Sequence, residues 1–206
     1  MILSIISMNE FQQLKQEYSS CQKCSELVNT RTQVVFGSGN EKAKILFIGE
    51  APGMNEDKQG IPFCGMSGKI LTELLLSAGL TREDIFITNT LLCRPPDNRN
   101  PKEEEIENCR SRLDNLIKIM QPKVIVTIGN FATERILDKN GINKLRGKVF
   151  PLVINHQEVQ VVPVIHPASY LYSGRNPEMF KQMQNDFKVI SGIVKENKKQ
   201  MNLIEF

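Results

Sequence analysis

The 206-residue chain lacks a strong charge imbalance: 26 Lys and Arg stand against 23 Asp and Glu, a formal charge of +3. That permits a polyanionic partner without demanding one. No apolar run approaches the length of a membrane span, and there is no internal repeat and no low-complexity linker. A G-x-x-x-x-G-K-[ST] loop, the usual cradle for nucleoside triphosphates, is also missing. The opening residues, MILSIISM, are apolar but have no basic flank and are too short for a secretory signal. The expectation is a cytoplasmic protein without membrane contact. In that compartment its five cysteines are reduced thiols or metal ligands rather than disulfides. Histidine is scarce as well: there are two, so the place of each carries weight.

What is present suffices for one domain over residues 1–206, since 40% of the residues are hydrophobic. Ser7-Met8-Asn9-Glu10 has the form of a capping box, and Phe11, Leu14 and Tyr18 follow at helical spacing to a stop near Cys21. Apolar runs at 44–48, 85–88, 124–128 and 161–165 read as strands, with an edge strand near 149–154. Helical patterns fill 67–78 (stopped by Gly79), about 101–120, 130–137 and 177–195, and the lysine-rich tail after about 196 is expected to fray. The third helical start has Asn100 as cap and Pro101 in its first position. Strands alternating with helices, several of them continuous apolar runs, predict an α/β fold: a three-layer α/β/α sandwich around a mainly parallel four-stranded central sheet. Pro163 places the last of those strands near an edge or a bulge.

In such sheets ligands bind beyond the carboxyl ends of the strands. Those ends read Gly49-Glu50-Ala51-Pro52-Gly53, Asn89, Gly129-Asn130 and His166-Pro167-Ala168-Ser169. An acid, two amides, a histidine and a serine are thus expected at one crevice. Each also has a structural reading: Glu50 as a turn cap, Asn89 as a turn residue, Asn130 as the cap of its helix (the preferred reading there), His166 as a satisfied imidazole before proline. The glycines of GEAPG suggest a phosphate cradle, but Glu50 would repel phosphate.

Cys21-Gln22-Lys23-Cys24 forms a C-x-x-C pair, and Cys93 and Cys109 stand fifteen residues apart. Four thiolates can hold zinc or an iron–sulfur cluster. Cys109 also fits the apolar stripe of its helix, formed with Ile106, Leu113, Leu116, Ile117 and Met120, and Cys64 has no partner and reads as packing.

Together, GEAPGMNEDKQGIPFCGMSGKIL, ITNTLLCRPPDNRNP, HPASYL and the split cysteine set resemble the family 4 uracil-DNA glycosylases, over nearly the whole chain. The resemblance implies the uracil-DNA glycosylase fold and excision of uracil from DNA at the start of base excision repair, by a monomer without a covalent DNA intermediate. It implies a 4Fe-4S cluster on Cys21, Cys24, Cys93 and Cys109. It also assigns roles around a flipped base. Gly49 and Ala51 let the backbone approach the base, Phe63 stacks on it, and Asn89 reads its edge. His166 donates to uracil O2. Glu50 is the nearest carboxylate for orienting water or stabilising the cationic sugar, and Glu56 is a further candidate, walling off the thymine methyl. Arg94, Arg99, Ser169 and Arg175 are expected to meet DNA phosphates. Two competing functions remain at this point: a non-enzymatic metal-bearing binding module, and a nucleotide-binding enzyme.

Overall fold

The computed structural model describes residues 9–204, with side chains through residue 195. The expected cap Ser7 lies outside the described residues, and Asn9 performs its role. The Asn9 side chain accepts the Gln12 amide at 2.8 Å and starts α1 (Glu10–Ser19), which buries Phe11, Leu14 and Tyr18. A short α2 (Ser25–Thr30) follows, unforeseen because its polar sequence shows no stripe. The chain then forms β1 (Ser38–Gly39), β2 (Ile45–Gly49), α3 (Met54–Gln59), α4 (Met66–Ser77), β3 (Phe86–Asn89) and α5 (Glu103–Met120). After these come β4 (Val124–Ile128), α6 (Gly129–Leu137), α7 (Ile142–Leu145), β5 (Phe150–Ile154), β6 (Gln157–Val164), α8 (Ala168–Tyr172) and α9 (Pro177–Ile204).

The sheet has six strands in the order β1-β3-β2-β4-β6-β5. Its centre is the expected parallel four, β3, β2, β4 and β6. Antiparallel β1 and β5 extend it at the two edges. β1 escaped sequence reading because two residues show no period. Asn155 and His156, both at positive φ, form the two-residue turn between β5 and β6, the geometry that matches strand twist in a tight hairpin. The second histidine is therefore a turn residue. Pro163 pairs with Thr127 of β4. It lies past Val161, where the pairing with β5 ends, so it has a strand neighbour on one side only and removes no ladder bond there.

Alternation along the strands divides the core. Leu46, Ile48, Phe86 and Ile125 pack with α1, α5 and α6 on one face. Ile45, Phe47, Ile87, Val124 and Val126 pack with α4 and α9 on the other. Both faces of the central strands are buried, which is why they read as unbroken apolar runs. Each fully buried Leu or Ile contributes roughly 2 kcal/mol. The result is the expected three-layer sandwich.

Two helix boundaries differ from expectation. α5 begins at Glu103, not at Pro101, because Glu105 turns back to accept the Lys102 amide at 2.8 Å. α9 continues to Ile204 instead of fraying near 196, since no Gly or Pro interrupts residues 196–204. Among the described residues no helix is long and apolar enough to cross a membrane.

Candidate active site

β3 and β4 flank β2 on opposite sides, so the order of strand addition reverses at β2. Such a switch point opens a crevice beyond the strand ends. A cleft of about 620 Å³ lies there, and Glu50, Ala51, Phe63, Asn89, Arg99 and His166 all line it. That volume suits a flat heterocycle and its attached sugar.

Gly49 forms the floor. A Cβ at this position would stand 2.3 Å from Asn89 Oδ1 and 2.9 Å from the Phe63 ring, so only glycine lets these two groups meet over the strand end. The segment after Asn89 is laced to the segment after Gly49. The Thr90 amide donates to the Gly49 carbonyl at 2.9 Å, the Leu91 amide to the Glu50 carbonyl at 3.0 Å, and the Thr90 hydroxyl to the same Glu50 carbonyl. Asn89 itself is buried, and its Oδ1 has no hydrogen-bond partner among the described residues. Buried amide oxygens are normally satisfied. An orphan facing a cleft is an acceptor held ready for a ligand.

Phe63 has φ 51, a left-handed conformation that costs a bulky residue about 1–3 kcal/mol. Its surroundings over-determine it. A Cβ on Gly68 would lie 1.7 Å from the Phe63 carbonyl oxygen, so the Phe63 turn rests directly on α4. Arg82 donates to the carbonyls of Phe63 (3.1 Å) and Gly68 (2.9 Å) and to the Thr72 hydroxyl (3.2 Å). The held ring lies 5.7 Å from the His166 ring, centroid to centroid, tilted by 32°.

His166 Nδ1 accepts the Ala168 amide at 3.1 Å. The proton of a neutral imidazole then resides on Nε2, making that nitrogen a donor. Burial pushes the His166 pKa down to about 4, against the opposing attraction of the Glu56 carboxylate. The ring is neutral at pH 7. Burial also raises the Glu50 carboxyl above its usual range. Glu56 Oε1 accepts the Gly65 amide at 3.1 Å, tying α3 to the start of α4. The strand-end motifs thus bring together a carboxyl group, a neutral imidazole donor, an unpaired amide and an aromatic face.

Other expected residues lie elsewhere. Asn130 is the second residue of α6, not its cap. Its Oδ1 accepts the amides of Gly141 and Ile142 at 3.2 and 2.9 Å and so holds the start of α7. Ser169 sits within α8, and neither it, Arg94 nor Arg175 lines the cleft. Arg94 donates to Asn98 Oδ1 at 2.8 Å on the rim loop. Arg99 lines the cleft but is not free: it grips Glu105 at 2.6 and 3.0 Å and reaches Glu26 at 3.2 Å. Those two carboxylates raise its pKa further. Cys64 is half-buried on a groove behind Phe63, beside Arg82, rather than sealed in the core.

The four other cysteines meet. Cys21, Cys24, Cys93 and Cys109 line one small cavity bounded by α1, α5 and the segment after β3. Among the described residues no three Cys, His, Asp or Glu side chains converge on a point where a single ion would be gripped. Four thiols lining one cavity are a donor set of the kind that holds zinc or an iron–sulfur cluster. Polar groups already face the sulfurs. Arg31 donates to Cys93 Sγ at 2.9 Å and to the Cys21 carbonyl at 2.6 Å, and Asn108 Nδ2 lies 3.5 Å from Cys24 Sγ. Burial pushes the Cys93 thiol up to about 11 even though Arg31 pulls it down. A cation beside that sulfur favours the thiolate that a metal requires.

Arg31, Arg82 and Arg112 were not singled out from sequence. Arg82 follows a glycine-terminated helix and reads as a solvated charge. Arg112 falls on the apolar side of α5, a break in the stripe that was the one available signal.

Residues 36–188 match the model of the uracil DNA glycosylase superfamily. The chain is 46% identical over 189 residues to a type-4 uracil-DNA glycosylase of Sulfurisphaera tokodaii, covering 89% of this chain and 84% of the relative. It is 42% identical over 204 residues to the type-4 uracil-DNA glycosylase of Archaeoglobus fulgidus, covering 97% of this chain and 100% of the relative. The type-4 uracil-DNA glycosylase of Saccharolobus solfataricus is 42% identical over 189 residues, covering 89% of this chain and 86% of the relative.

Proposed function

Since the chain belongs to the uracil-DNA glycosylase superfamily, we propose that the cleft beyond β2 is its active site, worked by Glu50, Phe63, Asn89 and His166. The reaction is hydrolysis of the N-glycosidic bond of deoxyuridine in DNA. Uracil leaves, an abasic site remains and base excision repair begins. The enzyme is monofunctional. One observation carries the assignment of residues: a buried, unpaired amide oxygen on Asn89 beside an aromatic face and a neutral histidine donor.

The base must leave the duplex stack to be reached. Phe63, already clamped by Arg82, offers its face to the flipped ring at no further ordering cost. The Asn89 Oδ1 accepts uracil N3–H, and the amide nitrogen donates to O4. Cytosine presents the reverse pattern and leaves both groups mismatched. Gly49 and Ala51 bring backbone up to the base edge. As the glycosidic bond breaks, negative charge grows on uracil O2 and positive charge on the sugar. His166 Nε2–H donates to O2. A neutral donor strengthens its bond as the charge develops and is too weak an acid to give up its proton, which is stabilisation specific to the transition state. Glu50, ionised above its raised pKa, faces the cationic sugar and orients the attacking water. Arg94 and Arg175, on the rim, are assigned to phosphates with the Ser169 hydroxyl. Arg99 reaches them only if DNA displaces its carboxylate partners.

Cys21, Cys24, Cys93 and Cys109 would hold a 4Fe-4S cluster, which when bound supplies a covalent cross-link among three chain segments. Arg31 compensates its charge at Cys93, and the rim loop leaves from the anchored Cys93.

The test is excision from matched oligonucleotides carrying U, T, hypoxanthine or C, read as abasic sites. Uracil should be released and thymine and cytosine retained. Folded, brown protein that makes no abasic sites at uracil would refute the reading.

A further inference from the structure

Arg112 lies on the core-facing side of α5, one turn beyond Cys109, and is fully buried, at 0% exposure. Its neighbours on that side, Cys109, Leu113, Leu116 and Ile117, are all small or apolar. A hydrophobic residue here would be at least as stabilising as a charge. A desolvated guanidinium is costly unless its environment compensates it. Among the described residues no carboxylate lies within ion-pair distance of Arg112.

The compensation comes from three consecutive residues at the end of β3. Nη1 donates to the Thr88 hydroxyl at 3.1 Å. Nη2 donates to the Asn89 carbonyl at 2.5 Å and to the Thr90 carbonyl at 3.2 Å. Only a planar fork of this length can span three acceptors in one stroke. These acceptors bracket the residue whose side chain is left unpaired over the cleft. On its other side the same segment is bonded to Gly49 and Glu50. The guanidinium therefore fixes where Asn89 stands, and through the lacing it fixes the Glu50 carbonyl as well. Cys109 on the same helix and Cys93, four residues after Asn89, both line the cysteine cavity, so cavity and fork share α5 and the segment after β3.

We propose that Arg112 is a positioning residue for base recognition: it registers the Asn89 end of β3 against α5 and thereby couples the cysteine cavity to the uracil-reading amide. The proposal rests on the functional reading above. It acts through Asn89, so its loss should degrade the choice of base and not merely the fold.

The experiment compares wild type with Arg112→Lys and Arg112→Met, purified with their cluster absorbance intact and assayed well below their melting temperatures. Two quantities are read: inhibition of excision by free uracil, and the ratio of excision rates on uracil and cytosine oligonucleotides. Arg112→Met should weaken uracil inhibition by about tenfold or more and lower the U-to-C ratio, since three acceptors lose their donor. Arg112→Lys, with one charged head, should fall between. Wild-type inhibition and discrimination in folded Arg112 variants would overturn the proposal. If neither variant folds, Thr88→Ser and Thr88→Val decide, because both keep Arg112, the serine retains the hydroxyl that accepts from Arg112 and donates to the Phe36 carbonyl, and the valine deletes it: about twofold to fivefold weaker uracil inhibition in the valine variant alone supports the coupling, and no change rejects it. Wild-type enzyme that makes no abasic sites at uracil would refute the functional reading before any variant is compared.

Discussion

The cleft beyond β2 and the cysteine cavity lie on either side of the same short segment, Asn89 to Cys93, yet they treat polar groups in opposite ways. In the cleft, groups are held but left unpaired: the Asn89 oxygen is orphaned, Phe63 is strained, and burial displaces the protonation of Glu50 and His166. In the cavity, polar groups already attend the sulfurs, with Arg31 on Cys93 and Asn108 near Cys24. A ligand that comes and goes needs partners kept free at a cost in stability. A resident group needs partners already turned toward it. On the reading proposed above, the cleft holds groups kept free for a passing ligand, and the cavity groups already turned toward a resident one.

That contrast can be broken from either side. The largest effect should come from His166→Ala: single-turnover excision falls by about 10²–10³-fold, as for loss of a donor to developing charge, with the visible absorbance of the cluster unchanged. Glu50→Gln should cost roughly 10²-fold. It should also remove a pH limb. Because burial raises the Glu50 pKa, wild-type excision should decline as pH falls toward and below that value, while His166, neutral above about pH 4, adds no limb near neutrality. A Glu50→Gln profile as steep as wild type would show that Glu50 only holds the turn.

Next is the cavity. Arg31→Met should speed loss of the cluster to a chelator by about 10–100-fold, the usual consequence of removing an outer partner of a metal ligand. The comparison sharpens if excision per cluster-loaded molecule falls far less than the colour. Gly49→Ala should then cost about 1–3 kcal/mol of local overpacking, read as reduced excision without loss of absorbance, because its Cβ would press on Asn89 and Phe63. The smallest effects belong to the rim. Arg94→Gln should lower the salt dependence of DNA binding by about one phosphate contact. Arg99→Gln should barely change it, since Glu105 and Glu26 already occupy that charge. Equal slopes for both variants would place Arg99 on the DNA after all.

The central sheet was legible because β2, β3 and β4 are buried on both faces and leave unbroken apolar runs. The strand-end residues were legible by position: Glu50, Asn89 and His166 do meet in one cleft. Motif resemblance pointed to Phe63, which both lines the cleft and packs in the core on the α4 side of the sheet. Short α3 and α8, which shape the cleft walls, were missed because five or six residues are too few to show a period. Asn130 misled because an amide after a strand looks like a cap, and only the fold shows that it serves α7 instead. The inward-turned arginines were the deepest omission. A charge in sequence reads as solvated surface, and nothing in one dimension reveals the carbonyls that pair with Arg82 and Arg112.

The split of the cysteine set has a consequence in time. Cys21 and Cys24 emerge early from the ribosome, and Cys109 only after β2, α4 and β3 have been made. Until α5 is complete the first pair has no cavity to close, and the proposed cluster would find half its site. Cys93, one of the last two of the set to appear, stands four residues after Asn89. On a growing chain the proposed cluster would therefore be a late arrival, and a molecule that had acquired it would already have brought the first half of its sequence together.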